Sequence, residues 1–250
     1  TDDYGQSDLR VLNDLLDIVF RVANPKTAIV ILSQVPPGYT RSKWDGIRTL
    51  YYQVETLIFG KAIERALFPE RYIVGCANPM EPLPKDYQIF LNAHECPILP
   101  MCYESAELAK ISINMFLVAS VTTTNTLAEL CEKIGANWSE ISPALRLDRR
   151  IGSYAYLSPG LGISGGNLER DLATVCNYAK QYQSDAGMVH AWIENSQHRK
   201  SWPVKELGRL IDLQNDTNVI GILGLAYKED THSTKNSPAI MAILQLQGVA

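Results

Sequence analysis

Lys110 and Asn114 stand four residues apart in a segment of helical periodicity, which puts an amine and an amide on one helix face, about 6 Å apart at Cβ. The apolar residues 111–121 adjoin them, so the amine is expected to be partly desolvated, which lowers a lysine's pKa and suits it to accept a proton or hold a water. A literal GxGxxG occurs at Gly160-Leu-Gly162-Ile-Ser-Gly165, yet it follows Ser158-Pro159 rather than a hydrophobic strand. It reads as a loop that can approach a ligand closely, not as a dinucleotide turn. Tyr227-Lys228 closes a β-rich apolar run, with Thr231, Lys235 and Ser237 just beyond, and a pair of lysines at the carboxyl end of a strand suits phosphate oxygens. His94, His190, His198 and His232 are scattered without metal-ligand spacing, so no metal site is expected, and neither a nucleophile elbow nor a P-loop is found. The chemistry on offer is proton transfer and the holding of an anion.

The elements that must carry these groups follow from periodicity. After the polar TDDYGQSD, apolar residues from Leu9 to Phe20 recur at helical spacing, with Ser7 as the expected N-cap. Residues 27–35 read as a buried parallel strand stopped by Pro36-Pro37-Gly38. A helix over 40–50, a strand over 51–54, a helix over 61–67 and a strand over 72–76 extend the alternation, the pattern of a doubly wound sheet. Between Asn78 and Pro100 lie five prolines, with only residues 87–91 looking extended, which marks a crossing between domains. From Ser105 to Ile134 one helix of about 30 residues is expected, roughly 45 Å long and ended by Gly135. Asn137-Trp-Ser-Glu140 is a capping box, and residues 168–181 and 186–213 read as helical, the latter interrupted near Pro203. Residues 217–226 then read as a strand and 237–246 as the start of a helix.

Composition bounds the function. The 250 residues are 46% hydrophobic and 20% charged, which excludes disorder as the main state, and no apolar run is expected to reach the roughly 18 residues of a membrane span. With 23 basic against 27 acidic residues the net charge is −4, so a broad electrostatic footprint for nucleic acid is absent. Five cysteines without a CxxC pair, and no signal peptide, point to a reducing cytoplasm. The opening α/β segment lacks a phosphate-binding βα turn and the closing one stops after one strand and one helix, so the chain is expected to be cut at both ends.

Taken in order, four segments resemble the UDP-glucose/GDP-mannose dehydrogenase family. Leu32-Ser-Gln-Val-Pro-Pro-Gly-Tyr-Thr40 is similar to the family's K-S-T-V-P-x-G-T, and Val54-Glu55-Thr-Leu-Ile-Phe-Gly60 with Pro69-Glu-Arg71 to N-P-E-F-L-x-x-G and P-D-R. Ala106-Glu-Leu-Ala-Lys110, Asn114, Asn125 and Leu130-Cys-Glu132 resemble the central helix. Residues 148–171 resemble the substrate loop, and Gly224-Leu-Ala-Tyr-Lys228 the start of the second nucleotide-binding domain. The resemblance implies Rossmann-like doubly wound domains joined by a long central helix and an all-α middle domain. Residues 1–104 would be the C-terminal half of the NAD-binding domain, 105–213 the helical dimerisation domain and 214–250 the start of the UDP-sugar-binding domain. It implies NAD as cofactor, a nucleotide sugar as substrate and a homodimer through the central helix. Glu55, Lys110, Asn114 and Asp171 would be catalytic, Asn167, Arg170, Gly160 and Lys228 would contact substrate, and Ser33, Gln34, Glu55 and Lys235 the cofactor.

The departures shape the chemistry expected. Where the family reads G-G-x-C-x-x-K-D this chain has Ser164-Gly-Gly-Asn167-Leu-Glu-Arg170-Asp171, so an amide holds the place of the cysteine nucleophile. Gln34, Ser233 and Lys235 replace a hydroxyl, an aspartate and an arginine of the family pattern. Lys110, Asn114 and Asp171, the apparatus of a first oxidation, remain. Two readings stay open: a dehydrogenase limited to one two-electron oxidation, and an inactive relative that binds a sugar nucleotide as a dimeric scaffold or regulator.

Overall fold

The computed structural model describes residues 7–58, 60–215 and 217–248. They divide into two compact units, Ser7–Ile113 and the residues from Asn114 onward, with the boundary inside one long helix.

In the first unit four strands form one sheet in chain order: β1 (Ile29–Ile31), β2 (Leu50–Gln53), β3 (Tyr72–Cys76) and β4 (Ile98–Cys102). β1 runs parallel to β2 and β3 to β4, but β2 and β3 are antiparallel, with Tyr52 opposite Gly75 and Gln53 opposite Val74. The sheet is therefore mixed, not the parallel sheet expected. The chain leaving β2 re-enters as β3 at the same end of the sheet, where the Val54 N–H donates to the Ile73 carbonyl at 3.0 Å, instead of crossing the sheet as a parallel connection must.

Both faces of the sheet are covered, and β3 shows how. Ile73 packs with Leu16 of α1 (Arg10–Val22), Ile31, Leu50, Tyr52 and Tyr103, whereas Tyr72 and Val74 pack with Leu83, Tyr87 and Leu91. Period-two alternation sends neighbours to opposite cores. Two short helices, α2 (Tyr39–Lys43) and α3 (Ala62–Leu67), fill the connections, α2 ending well short of the expected residue 50. Residues 87–91 are not extended: they lie in α4 (Lys85–Asn92), where Tyr87 and Leu91 are buried one turn apart while Ile89 and Phe90 are exposed. An i, i+4 apolar pair, not the β-rich residue types, decides that segment. α4 packs on the sheet and β4 completes it, so residues 78–100 are part of the first unit and not a linker. Nor does Ser7 cap α1: Asp8 Oδ1 takes the Arg10 N–H at 3.1 Å and the Arg10 guanidinium as well.

The other unit is helical. The long helix α5 (Tyr103–Ile134) is followed by α6 (Trp138–Leu147), α7 (Gly166–Tyr182), α8 (Gly187–Lys200), α9 (Trp202–Leu210) and α10 (Pro238–Gln247). Asn137 caps α6 by accepting the Ser139 N–H at 3.0 Å. Residues 217–226 form no strand among the described residues. Val219 and Leu223 are almost fully exposed, and a strand without a hydrogen-bonded neighbour has nothing to hold it extended. Among the described residues only one Rossmann-like sheet is therefore seen. Against the sequence expectation, α5 is long and apolar enough to cross a membrane, with a mean hydropathy of 1.2. It is nonetheless a core helix: Tyr103 and Ala106, Val118, and Ala128 with Cys131 each enter a buried cluster, and Glu107, Asn114, Thr124 and Asn125 are buried polar residues along it.

Candidate functional site

The expected cofactor residues lie in the first unit. Ser33 and Gln34 follow β1 and Glu55 follows β2, so all three sit past the carboxyl ends of the parallel pair, where α/β sheets bind ligands. Glu55 turns its carboxylate onto its own chain, accepting the Thr56 N–H at 2.7 Å. The turn between β1 and α2 is fixed from below by a residue that the sequence did not single out. Glu107 of α5, fully buried, accepts the Gly38 N–H at 2.5 Å and the Thr40 N–H at 2.8 Å. One turn away, Arg41 pairs with Glu104 at 2.9 Å and stacks over the Tyr103 ring at 4.8 Å. Lys110 follows on the same helix, half-buried.

Burial pushes the Glu107 carboxyl above its ordinary value, the two amide donors opposing that only in part. A raised folded pKa means the folded state holds the proton more tightly, so this contribution to stability is fully present below the usual glutamate value and is lost as pH rises through the raised one. Glu107→Gln removes that slope but turns an NH2 toward one of the two N–H groups. We expect it to cost about 1–3 kcal/mol near pH 5, with a flatter dependence of stability on pH between 4 and 7 than the parent shows in urea melts.

The second unit assembles the other candidates. Asn114 of α5 donates through Nδ2 to Asp171 Oδ2 at 2.5 Å, and Arg170 donates through Nε to Asp171 Oδ1 at 3.1 Å. Asp171 is 1% exposed, so each carboxylate oxygen is met by its own donor in a buried setting. Arg170 Nη1 reaches Asn167 Oδ1 at 3.4 Å, which links the exposed first turn of α7 to the buried carboxylate. Arg170 thus turns its guanidinium inward. Beside it, Glu169 pairs with the buried Lys200 at 3.1 Å and also accepts from Asn236. Gly165, at φ +81°, leads into α7, and a Cβ there would lie 2.8 Å from the Tyr227 ring. Its N–H donates to the Lys235 carbonyl at 3.2 Å, so the turn of residues 224–237 packs on the turn that starts α7. Lys228 stands over the Tyr227 ring at 5.6 Å. Gly160 donates its N–H to Asn125 Oδ1 at 2.7 Å in a loop between α6 and α7, not in a strand–helix turn. No group of three or more metal-ligating side chains occurs among the described residues.

Residues 104–197 match the central domain of the UDP-glucose/GDP-mannose dehydrogenase family. The chain is 31% identical over 96% of its length to UDP-glucose 6-dehydrogenase of Rickettsia conorii, and 28% identical over 97% to UDP-glucose 6-dehydrogenase TuaD of Bacillus subtilis. It belongs to the UDP-glucose/GDP-mannose dehydrogenase family. It spans 56% and 54% of those two relatives. A UDP-glucose dehydrogenase from the archaeon Pyrobaculum islandicum superposes with a TM-score of 0.82 over 98% of this chain and 59% of the archaeal one, a likeness of fold at 23% identity.

Within this family member the cysteine question has a definite geometry. Asn167 occupies the exposed first turn of α7, where its amide meets Arg170. Cys176, further along α7, packs into the apolar cluster of Val118, Ile163, Leu172 and Val189, and burial pushes its thiol above the ordinary value. A thiol whose pKa is raised is less often the thiolate and so a weaker nucleophile.

Proposed function

We propose that this family member is an NAD-dependent nucleotide-sugar dehydrogenase similar to UDP-glucose 6-dehydrogenase, limited to a single two-electron oxidation. The observation that carries the reading is the buried Asp171 held by Asn114 and Arg170, within residues that match the family's central domain. Two donors on separate oxygens keep the carboxylate fixed, so the face of α5 bearing Asn114, with Lys110 one turn earlier, can hold a water or a sugar hydroxyl with little reorganisation. Lys110 takes the hydroxyl proton. Lys228 and the Gly160 loop contact the nucleotide sugar.

NAD, when bound, accepts the hydride. Ser33, Gln34 and Glu55 suit one end of such a cofactor and Lys235 is assigned to it by resemblance, but no glycine-rich strand–helix turn for its pyrophosphate occurs among the described residues of the sheet. The described residues therefore fit part of the cofactor only, and the roles assigned here are those of the chain's own side chains. By function we divide the chain at 1–104, 105–213 and 214–250, as cofactor half-domain, helical domain and start of the sugar-nucleotide domain. We also assign a homodimer through α5, because Phe116, Leu130 and Ile134 leave apolar surface open along it, and light scattering that returns a monomer at micromolar concentration overturns the assignment.

Calorimetric titration with UDP-sugars, together with NADH absorbance, tests the function. Lys110→Ala should lower turnover at least a hundredfold while the dissociation constant for the nucleotide sugar stays within about threefold, since its role is in proton transfer. Equal loss of binding reassigns Lys110 to substrate recognition. Binding without turnover by the parent chain across a panel of sugars points to the scaffold reading, for which Asn167 is the motive.

A further inference from the structure

The loop from Gly152 to Gly165 has no helix or strand of its own, yet side chains hold its backbone at several points. Arg146 donates to the Ser153 and Ala155 carbonyls, Thr124 to the Tyr156 carbonyl at 3.0 Å and Trp138 to the Leu157 carbonyl at 2.8 Å. Gly160 is gripped on both sides: its N–H by Asn125 Oδ1 at 2.7 Å and its carbonyl by Arg199 Nε at 2.9 Å. Three residues on, the Ile163 N–H donates to Ser196 Oγ at 2.7 Å. Backbone polar groups that leave regular structure must find partners, and here they find them on rigid helices.

Two of these fixing points, Ser196 and Arg199, share one face of α8 with a third buried polar residue, Lys200. Ser196, Arg199 and Lys200 lie at i, i+3 and i+4 and are 4%, 5% and 3% exposed. They hold, respectively, the Ile163 amide, the Gly160 carbonyl and Glu169 on α7. The contact is close: a Cβ at Gly162 would lie 2.7 Å from the Ser196 carbonyl oxygen. Burying a guanidinium and an ammonium together is costly and gains little stability over apolar residues of the same size, so their presence on one face asks for another use. Arg199 is itself anchored, with Glu129 at 3.6 Å, Glu132 at 3.8 Å and the Trp202 ring 4.7 Å away. Its Nε is left as the donor aimed at the loop.

We infer that the Ser196–Arg199–Lys200 face of α8 is a positioning device that sets the Gly160 loop and the first turn of α7 for the nucleotide sugar. This rests on the reading of Gly160 as a substrate contact. Arg199 and Ser196 touch no reacting atom in this scheme. They act through the loop, and so govern affinity for the sugar nucleotide more than the chemical step.

Arg199→Lys keeps a cation facing Glu129 and Glu132 and removes the Nε donor, whereas Ser196→Ala removes the acceptor for Ile163. In the full chain, hydrogen exchange of the peptide covering residues 157–165 should quicken at least tenfold in either variant, while the melting temperature moves by less than about 5 °C. With UDP-glucose, KM should rise about tenfold and kcat stay within about twofold. Unchanged exchange of the loop in both variants overturns the inference, as does a fall in kcat at constant KM. Should the parent chain neither bind nor turn over any UDP-sugar, the dehydrogenase reading and the substrate role of the loop fail together. Loop exchange in the two variants still decides whether α8 holds the loop.

Discussion

Given a limiting nucleotide sugar and excess NAD, the full chain should form about one NADH per sugar and release an aldehyde or ketone, because the group that would carry a second oxidation is missing. The first oxidation needs a base for the hydroxyl proton and an acceptor for the hydride on the same carbon. Lys110, Asn114 and Asp171 are candidates for the protein's share. The second needs a nucleophile that adds to the new carbonyl, so that the adduct can lose a hydride as an ester-like intermediate, which water then cleaves to the acid. Asn167 cannot form that adduct, since an amide nitrogen has its lone pair delocalised into the carbonyl. Cys176 is poorly placed to replace it: it lies about two and a half helical turns further along α7, partly buried against Val118, Leu172 and Val189, and burial pushes its thiol above the ordinary value. Asn167→Cys alone should not restore acid formation, because Arg170 lies over the same turn and is committed to Asp171, and Gln34 has replaced a further family hydroxyl. NADH yield against limiting UDP-glucose, with mass spectrometry of the product, reads the outcome. Two NADH per sugar with a uronate product overturns the prediction and calls for a nucleophile elsewhere or oxidation through the aldehyde hydrate.

Residue type and spacing made some of this legible in advance and left the rest hidden for physical reasons. β3 was readable because five consecutive buried residues bounded by turns have few other solutions, and α5 because its apolar pattern runs unbroken to Gly135. The antiparallel turn between β2 and β3 was not, since direction depends on where an 18-residue excursion (54–71) comes back, and local propensity carries no record of that. Residues 217–226 have strand-forming side chains, but a strand is a paired object and its pairing partner is not encoded in its own ten residues. For the candidate site, the motif positions Asn114, Arg170 and Asp171 could be named from sequence and are brought together. Glu107, Ser196, Arg199 and Lys200 could not, because a polar or charged residue on a helix is usually solvated and only the fold shows these four buried. Glu107 lies inside the Ala106–Lys110 segment that resembles the central helix, but nothing in that resemblance set it apart.

Asp171 offers the sharpest separation of structural from chemical roles, because two substitutions at it should diverge in stability and agree in activity. Its carboxylate takes one hydrogen bond from Asn114 Nδ2 and one from Arg170 Nε, and the side chains of Asp171 and Arg170 are 1% and 14% exposed. Asp171→Ala removes both acceptors and leaves a mostly buried guanidinium unpaired, a change that typically costs about 3–5 kcal/mol and here should lower the melting temperature by roughly 10 °C. In Asp171→Asn the single remaining oxygen can face Arg170, which has no acceptor and cannot adapt. The new NH2 can then face Asn114, whose amide flips to present its oxygen at almost no cost. That variant should lose only about 1–2 kcal/mol, since the geometry survives and only the ion-pair charge is gone. Activity should not follow stability. If the negative charge of Asp171 orders the water or steadies the proton passing to Lys110, both variants should lose kcat by roughly 100-fold or more, with the nucleotide-sugar dissociation constant nearly unchanged in Asp171→Asn. Urea melts and steady-state kinetics on the two proteins are sufficient. Parent-like kcat in a stable Asp171→Asn protein would strip Asp171 of its part in the reaction and leave it as the partner that makes burial of Arg170 tolerable.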